Sequence, residues 1–248
     1  MRAGAVHRPA RCRWQLPALV GAAGLAHALP SVGVLGAIAG RPSRLGPIRL
    51  RGAAGTEAVA LTFDDGPSPE GTPRILHRLE QLGLRATFFV TGTEAARHPA
   101  LVADIRSAGH GVESHGMEHR HHLLHGPRWV ERDLRAALDV LRSLGVRPRY
   151  LRPPYGQAAA ATLVAAQRHR LGCVLWSCWG REFAEPRAAA VAARIRQRLE
   201  PGAIVLLHDS DQHCGPGSVA AVDQALEAVA QELARRRLRS VRLAELLE

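Results

Sequence analysis

From Val59 onward, short apolar runs alternate with amphipathic stretches. Ala58-Val59-Ala60-Leu61 reads as a buried strand that Gly66-Pro67 ends. Thr72 as N-cap with Pro73 at the first helical position predicts a helix to about Leu82, stopped by Gly83. Strands are predicted over residues 86–90, 111–114, 149–152, 173–176, 203–207 and 240–242. Helices are predicted over 99–108, 127–144, 158–170, 187–199 and 218–237. The second of these carries Val130, Leu134, Leu138 and Leu141 on one face and ends at Gly145. Repeated βα units of this size predict a parallel sheet or a (β/α) barrel. The conspicuous polar residues fall just after strands: Asp64 and Asp65, His115, Arg152, His208 and Asp209. In such folds the C-terminal strand ends form the active face, so their common placement predicts a site.

The start of the chain has another character. Arg2, Arg8, Arg11 and Arg13 precede a run from Trp14 to Gly40 without a charged residue at neutral pH. A basic head before an apolar run reads as a signal anchor or signal peptide, long enough to span a bilayer. The head would stay cytoplasmic and the rest be exported to the cell envelope or periplasm. Ala26-His27-Ala28 offers a cleavage point, although an anchor is preferred. Residues 41–57, rich in Pro, Gly and Arg, read as a linker, and residues 58–248 as one domain large enough for a full core.

The net charge is +11, and every cation other than histidine is arginine. Aromatic residues at 4% are too few for the stacking that nucleic-acid binding uses, so acidic glycans or lipid headgroups are the expected anionic partners. The basic run Arg235-Arg236-Arg237-Leu238-Arg239 suits a helix C-terminus. Four cysteines without a CxxC pair argue against a cysteine zinc site. Cys178 and Cys214 are the pair that an oxidising compartment would allow near the site.

Asp64-Asp65 at a strand end admits two readings: a solvated Asp-Gly turn, or a carboxylate pair in which one ligates a cation and the other acts as a base. His115 and His119 stand four apart; on a helical turn both would share one face, about 5–6 Å apart, and bind one ion with Asp65. The crowd of His110, His121, His122 and His125 leaves a solvated loop equally open. Arg152 before Pro153-Pro154 fits either a partner for Asp64 or a surface arginine. His208, ending an apolar strand beside Asp209, fits a general acid or a structural histidine.

Taken in order, four motifs resemble those of polysaccharide deacetylases, the NodB-homology domain of carbohydrate esterase family 4. They are Thr62-Phe63-Asp64-Asp65-Gly66-Pro67, His115-x-x-x-His119, Arg152-Pro153-Pro154-Tyr155 and Leu206-Leu207-His208-Asp209. The resemblance runs from about Val59 to Leu247. It implies a deformed, TIM-barrel-like (β/α) barrel and metal-dependent removal of N-acetyl groups from amino sugars of a glycan. Asp65, His115 and His119 would hold the metal, commonly zinc. Asp64 would be the base and His208 the acid that protonates the leaving amine, with Arg152 placing Asp64. The Tyr155 N–H would support the oxyanion and Leu206 would line the acetyl pocket.

Two departures stand out. Gly116 replaces the usual Ser or Thr, and Ser114 the usual Asn, which predicts a looser turn around the histidines. The fourth-motif Asp-Trp is replaced by Trp179-Gly180-Arg181-Glu182-Phe183, where Glu182 and Phe183 are the nearest substitutes and Glu182 is placed on the substrate side. That leaves the partner of Arg152 open. A catalytically idle glycan-binding relative and an amidase on a non-sugar substrate are the competing functions. The aromatic candidates for a sugar platform are Trp129, Tyr155, Trp176, Trp179 and Phe183. The sequence specifies neither the glycan nor the oligomeric state.

Overall fold

The computed structural model describes residues 44–53 and 55–248, so the basic head and apolar run of residues 1–40 lie outside the described residues. Among the described residues no helix is long and apolar enough to cross a membrane. Strands and helices alternate: β1 (Arg44–Leu45), β2 (Ile48–Arg49), β3 (Ala58–Asp64), α1 (Thr72–Gln81), β4 (Ala86–Val90), α2 (Gly92–Arg97), α3 (Pro99–Ser107) and β5 (Gly111–Ser114). There follow α4 (Pro127–Ser143), β6 (Tyr150–Leu151), α5 (Ala160–Arg168), β7 (Gly172–Val174), β8 (Cys178–Trp179) and α6 (Ala188–Arg198). The chain ends with β9 (Ile204–His208), α7 (Ser218–Arg236), β10 (Arg239–Ser240) and α8 (Leu243–Leu247).

The sheet order is β1-β2-β7-β6-β5-β4-β3-β9-β8, with β10 alongside β3. Apart from the antiparallel β1–β2 pair, its ladders are parallel. The sheet curls until Arg51 meets Ala203 in one isolated antiparallel bridge. The expected βα alternation is therefore present in an incompletely closed, half-barrel-like sheet. Residues 41–57, read as a linker, contribute β1 and β2 to this sheet. The alternation Ile48-Arg49-Leu50-Arg51 explains it: Ile48 and Leu50 are buried, while the arginines between them are only partly covered.

β3 organises the molecule. It pairs with β4 on one side and β9 on the other, and all of its residues are buried, as a central parallel strand requires. Its two faces separate cleanly. Val59, Leu61 and Phe63 pack with Phe88, Val205 and Leu207 against Ile75, Leu79, Leu226 and Val229 of the surrounding helices. Ala58 and Ala60 face the interior with Phe89, Trp176, Ile204 and Leu206, where Leu243 and Leu246 of α8 close the base. By the same period of two, Thr62, Asp64, Leu206 and His208 belong to the interior face. Fully burying each such apolar side chain contributes about 1.5–3 kcal/mol, so the strands are held in one register and their polar ends with them.

Boundaries differ from expectation where side chains have other work. Gly71, not Thr72, is the N-cap of α1. The Thr72 hydroxyl instead accepts from the Ser68 N–H and donates to Asp209 Oδ2 at 2.5 Å. The final strand expected at 240–242 is Arg239–Ser240, followed by α8, too short for a periodic signal.

Candidate active site

At the C-terminal ends of the central strands lies a cleft of about 300 Å³, walled by Asp64, Asp65, His115, His119, Tyr155, Trp176, Leu206 and His208 among others. Of the residues expected to carry the chemistry, Asp64, Asp65, His115, His119, Tyr155, Leu206 and His208 reach this cleft directly, while Arg152 and Glu182 stand behind it.

Arg152 is fully buried and is the hub of the interior. Its Nη1 donates to Asp64 Oδ1 at 2.7 Å and to Thr62 Oγ1 at 2.8 Å, and its Nη2 donates to the Leu175 carbonyl at 3.1 Å. The guanidinium also stands 4.1 Å from the centroid of the Phe89 ring. The partner of Arg152 is thus the first-motif Asp64, and its guanidinium bonds no acid from the fourth-motif segment. With Oδ1 committed to Arg152, Asp64 turns Oδ2 toward the histidines, 4.0 Å from His115 Nε2. Thr62, which sequence reading left without a role, is fixed by donating its hydroxyl to the Val205 carbonyl at 2.7 Å.

Asp65 takes a left-handed backbone, φ 77°, which turns its side chain out of the strand alternation. Its Oδ1 lies 3.3 Å from His115 Nε2 and 3.1 Å from His119 Nε2. The helical turn expected for His115 and His119 is absent: residues 115–120 form an irregular loop with Gly116 at φ +83°. A left-handed residue cannot continue a right-handed turn, and here it folds the two imidazoles together, with centroids 5.3 Å apart.

His115 Nδ1 lies 2.8 Å from the Arg152 carbonyl, an acceptor, so Nδ1 carries the proton and Nε2 presents a lone pair. Asp65 Oδ1 is buried without a hydrogen-bond donor. An orphaned carboxylate oxygen facing two imidazole nitrogens at about 3 Å is repulsive unless a cation or a proton sits among them. The donor set of one carboxylate and two imidazoles fits a divalent ion that keeps coordination positions open. Burial opposes ionisation of Asp65, but the close approach of the His115 and His119 imidazoles and the charge of His208 outweigh it and hold the carboxyl well below its usual range.

His208 closes the opposite wall. Glu182, expected on the substrate side, is wholly buried behind it, with Oε1 2.8 Å from His208 Nδ1. Gly180 makes this possible, because a Cβ there would lie 2.8 Å from Glu182 Oε2 and 3.0 Å from Leu207. Burial works to lower the His208 pKa, yet hydrogen bonds with Cys214 and Glu182 and the charges of Glu182 and Asp65 raise it well above the ordinary imidazole value.

With this geometry, comparison with known proteins decides the family. The profile of the polysaccharide deacetylases matches residues 51–174, and a chitooligosaccharide deacetylase of Bradyrhizobium sp. (strain ANU 289) is 38% identical over 158 residues, 63% of this chain and 72% of that protein. The chain belongs to the polysaccharide deacetylase family. A peptidoglycan-N-acetylglucosamine deacetylase of Bacillus cereus is 32% identical over 192 residues, covering 76% of this chain and 87% of its own. In three dimensions the chain resembles the Bc1960 peptidoglycan N-acetylglucosamine deacetylase, with a TM-score of 0.76 and 27% identity over 81% of this chain and 92% of that one.

Against the deacetylase pattern, the looser turn expected from Gly116 is compensated. Asp133 of α4 accepts the Met117 N–H at 2.9 Å on Oδ2 and the Glu118 N–H at 3.1 Å on Oδ1. A Cβ at residue 116 would stand 3.0 Å from Asp133 Oδ2, so the glycine and the acid fit each other. A signal existed in the sequence: Asp133 falls three residues after Val130 on the buried stripe of α4, where an unpaired acid is costly. Asp133→Ala is expected to weaken divalent-ion binding about 10–100-fold, as loss of groups that orient ligands does. Calorimetric titration of the stripped protein checks it, with unchanged affinity contradicting the clamp.

Two other expectations are corrected. Cys178 and Cys214 are both free, because Cys178 packs outside the sheet with its thiol toward the Ile195 carbonyl, while Cys214 faces the cleft. Of the aromatic candidates, Trp129 stacks on His125 away from the cleft; Tyr155, Trp176, Trp179 and Phe183 line it.

Proposed function

We propose that the protein is a metal-dependent hydrolase that removes the N-acetyl group from an amino sugar within a glycan. The observation that carries this reading is the convergence of Asp65, His115 and His119 beside an arginine-bound Asp64 and opposite a glutamate-backed His208. Asp65, His115 and His119 hold a divalent ion, zinc by the preference of imidazole and carboxylate donors. When bound, the ion polarises the amide carbonyl, which resonance otherwise makes a poor electrophile, and supplies a water of lowered pKa.

The protein's own groups divide the proton traffic. Asp64 Oδ2, free because Oδ1 is held by Arg152, accepts the proton of the attacking water. Glu182 occupies His208 Nδ1, so Nε2 is left to give its proton to the amine nitrogen as the C–N bond breaks. Water is consumed, and acetate and a free amino sugar leave. Leu206, 3% exposed, with Trp176, forms an apolar floor suited to the acetyl methyl. Tyr155 and Phe183 stand 48% and 42% exposed on the rim, where aromatic faces stack on sugar rings. The Tyr155 N–H supports the developing oxyanion, the role that the family resemblance gives it. The basic head and apolar run of residues 1–40 support delivery to the cell envelope, where such glycans are exposed.

The raised pKa of His208 gives a signed pH prediction. Turnover needs the protonated imidazole, so it is lost as pH rises through the folded His208 pKa. Glu182→Gln removes a stabilising charge, lowers that pKa and moves the alkaline fall of kcat/KM to lower pH. An unmoved alkaline limb would show that His208 is not the acid. The reaction itself is tested by acetate release from N-acetylglucosamine oligomers and from peptidoglycan fragments, with and without a chelator. Chelator-sensitive acetate is expected. Acetate from no N-acetylated glycan, with a metal ion bound, would leave a glycan-binding role instead.

A further inference from the structure

Cys214 neither holds the first ion nor moves a proton in the chemistry just described, yet it stands in the cleft between Asp65, which does the one, and His208, which does the other. It lies in the loop between β9 and α7, and its thiol donates toward Asp65 Oδ2 at 3.8 Å. The ligand atoms of Asp65, His208 and Cys214 all lie within 4.8 Å of one another. Asp65 thus presents a different oxygen to each side: Oδ1 to His115 and His119, Oδ2 to Cys214.

We propose that Asp65, His208 and Cys214 form a second cation site that takes a soft divalent ion. A tetrahedral ion with metal–sulfur and metal–oxygen bonds of about 2.3 and 2.0 Å holds those donors about 3.5 Å apart, close to the gap between Cys214 Sγ and Asp65 Oδ2. The site is sheltered, with relative exposures of 2%, 12% and 9% for Asp65, the His208 side chain and Cys214. Sulfur with imidazole selects zinc or cadmium over magnesium, calcium or manganese. Cys173 and Cys178 do not compete, since neither borders the cleft.

Binding exchanges protons for the ion without oxidation or reduction. The metal–sulfur and metal–nitrogen bonds form as the thiol proton and the His208 proton leave to solvent. The occupied site withholds the imidazole that donates to the leaving amine, so the second equivalent of ion inhibits. That consequence, unlike the binding itself, rests on the deacetylase reading.

The full chain, stripped of metal, is titrated calorimetrically with cadmium ion alone while ultraviolet absorbance is followed. The wild type is expected to bind two equivalents, the second bringing a thiolate-to-cadmium charge-transfer band. Cys214→Ser is expected to lose that band and to weaken the second equivalent at least about tenfold. One equivalent in the wild type, or an unchanged second equivalent in Cys214→Ser, overturns the site. Acetate release against zinc ion then separates the two ideas: it should rise through the first equivalent and fall through the second, and Cys214→Ser should keep the rise and lose the fall. Two equivalents with the band but no acetate at any loading would leave the cation site standing and sink the deacetylase reading. Acetate release with a single-ion stoichiometry would do the reverse.

Discussion

Asp64→Asn is expected to lower kcat for acetate release by about 10²–10⁴-fold while the protein still binds its first divalent ion. The substitution is nearly isosteric, and its amide oxygen still accepts from Arg152 Nη1, now 2.7 Å from Oδ1. What disappears is the basic oxygen aimed toward the histidines, because an amide NH₂ cannot take a proton from water. The proposed ion ligands are Asp65, His115 and His119, none of which depends on the charge of residue 64 for its placement. The loss should therefore fall on kcat, with KM and metal stoichiometry close to the wild type. Steady-state kinetics paired with metal analysis of the same sample checks this. Turnover within a factor of a few of the wild type would remove Asp64 as the base.

Arg152→Met carries the largest expected cost to the fold, about 3–5 kcal/mol. Arg152 is fully buried, and three acceptors depend on it: Asp64, Thr62 and the Leu175 carbonyl. Methionine fills much of the volume and keeps contact with Phe89, so the loss is electrostatic: Asp64 remains as a buried charge without its counter-ion. The double variant Arg152→Met/Asp64→Asn removes that charge and is expected to recover a substantial part of the stability, a coupling of more than about 1 kcal/mol. Denaturant unfolding of the four proteins in the cycle measures it. Strictly additive losses would mean that the ion pair does not hold the interior together.

These two residues also show what a sequence discloses and what it withholds. The continuous apolar run of β3 made a central strand legible, and the period of two along β3 and β9 places Asp64, Leu206 and His208 on one face. The polar residues after strands duly gathered at one end of the sheet. Contacts made across the interior are legible only in part. The Arg152–Asp64 pair, 88 residues apart, is the expected one, whereas the His208–Glu182 pair, 26 residues apart on different connections, has no signal in the sequence. The sequence places Glu182 toward substrate because its true register after β8 depends on the close fit of Gly180 against Leu207, which no local pattern encodes.

The histidine loop went the other way. Spacing of four suggested a helical turn, but the left-handed Gly116 and the Asp133 clamp achieve the same convergence without one. β1 and β2 are masked in the sequence by the Gly and Pro that dominate the segment, although Ile48 and Leu50 alternate with arginine there. The local chemistry of the motifs survived both surprises, since it rests on strand ends that the core fixes.

The proposed chemistry depends most directly on the first divalent ion. Protein stripped of metal and reloaded stepwise with zinc ion should regain acetate release in proportion to the first equivalent bound. In His119→Ala, which removes one of the two imidazoles facing Asp65 Oδ1, that tight first equivalent and the activity should be lost together. Acetate release that persists in the stripped protein, or a first equivalent held equally well without His119, would contradict it.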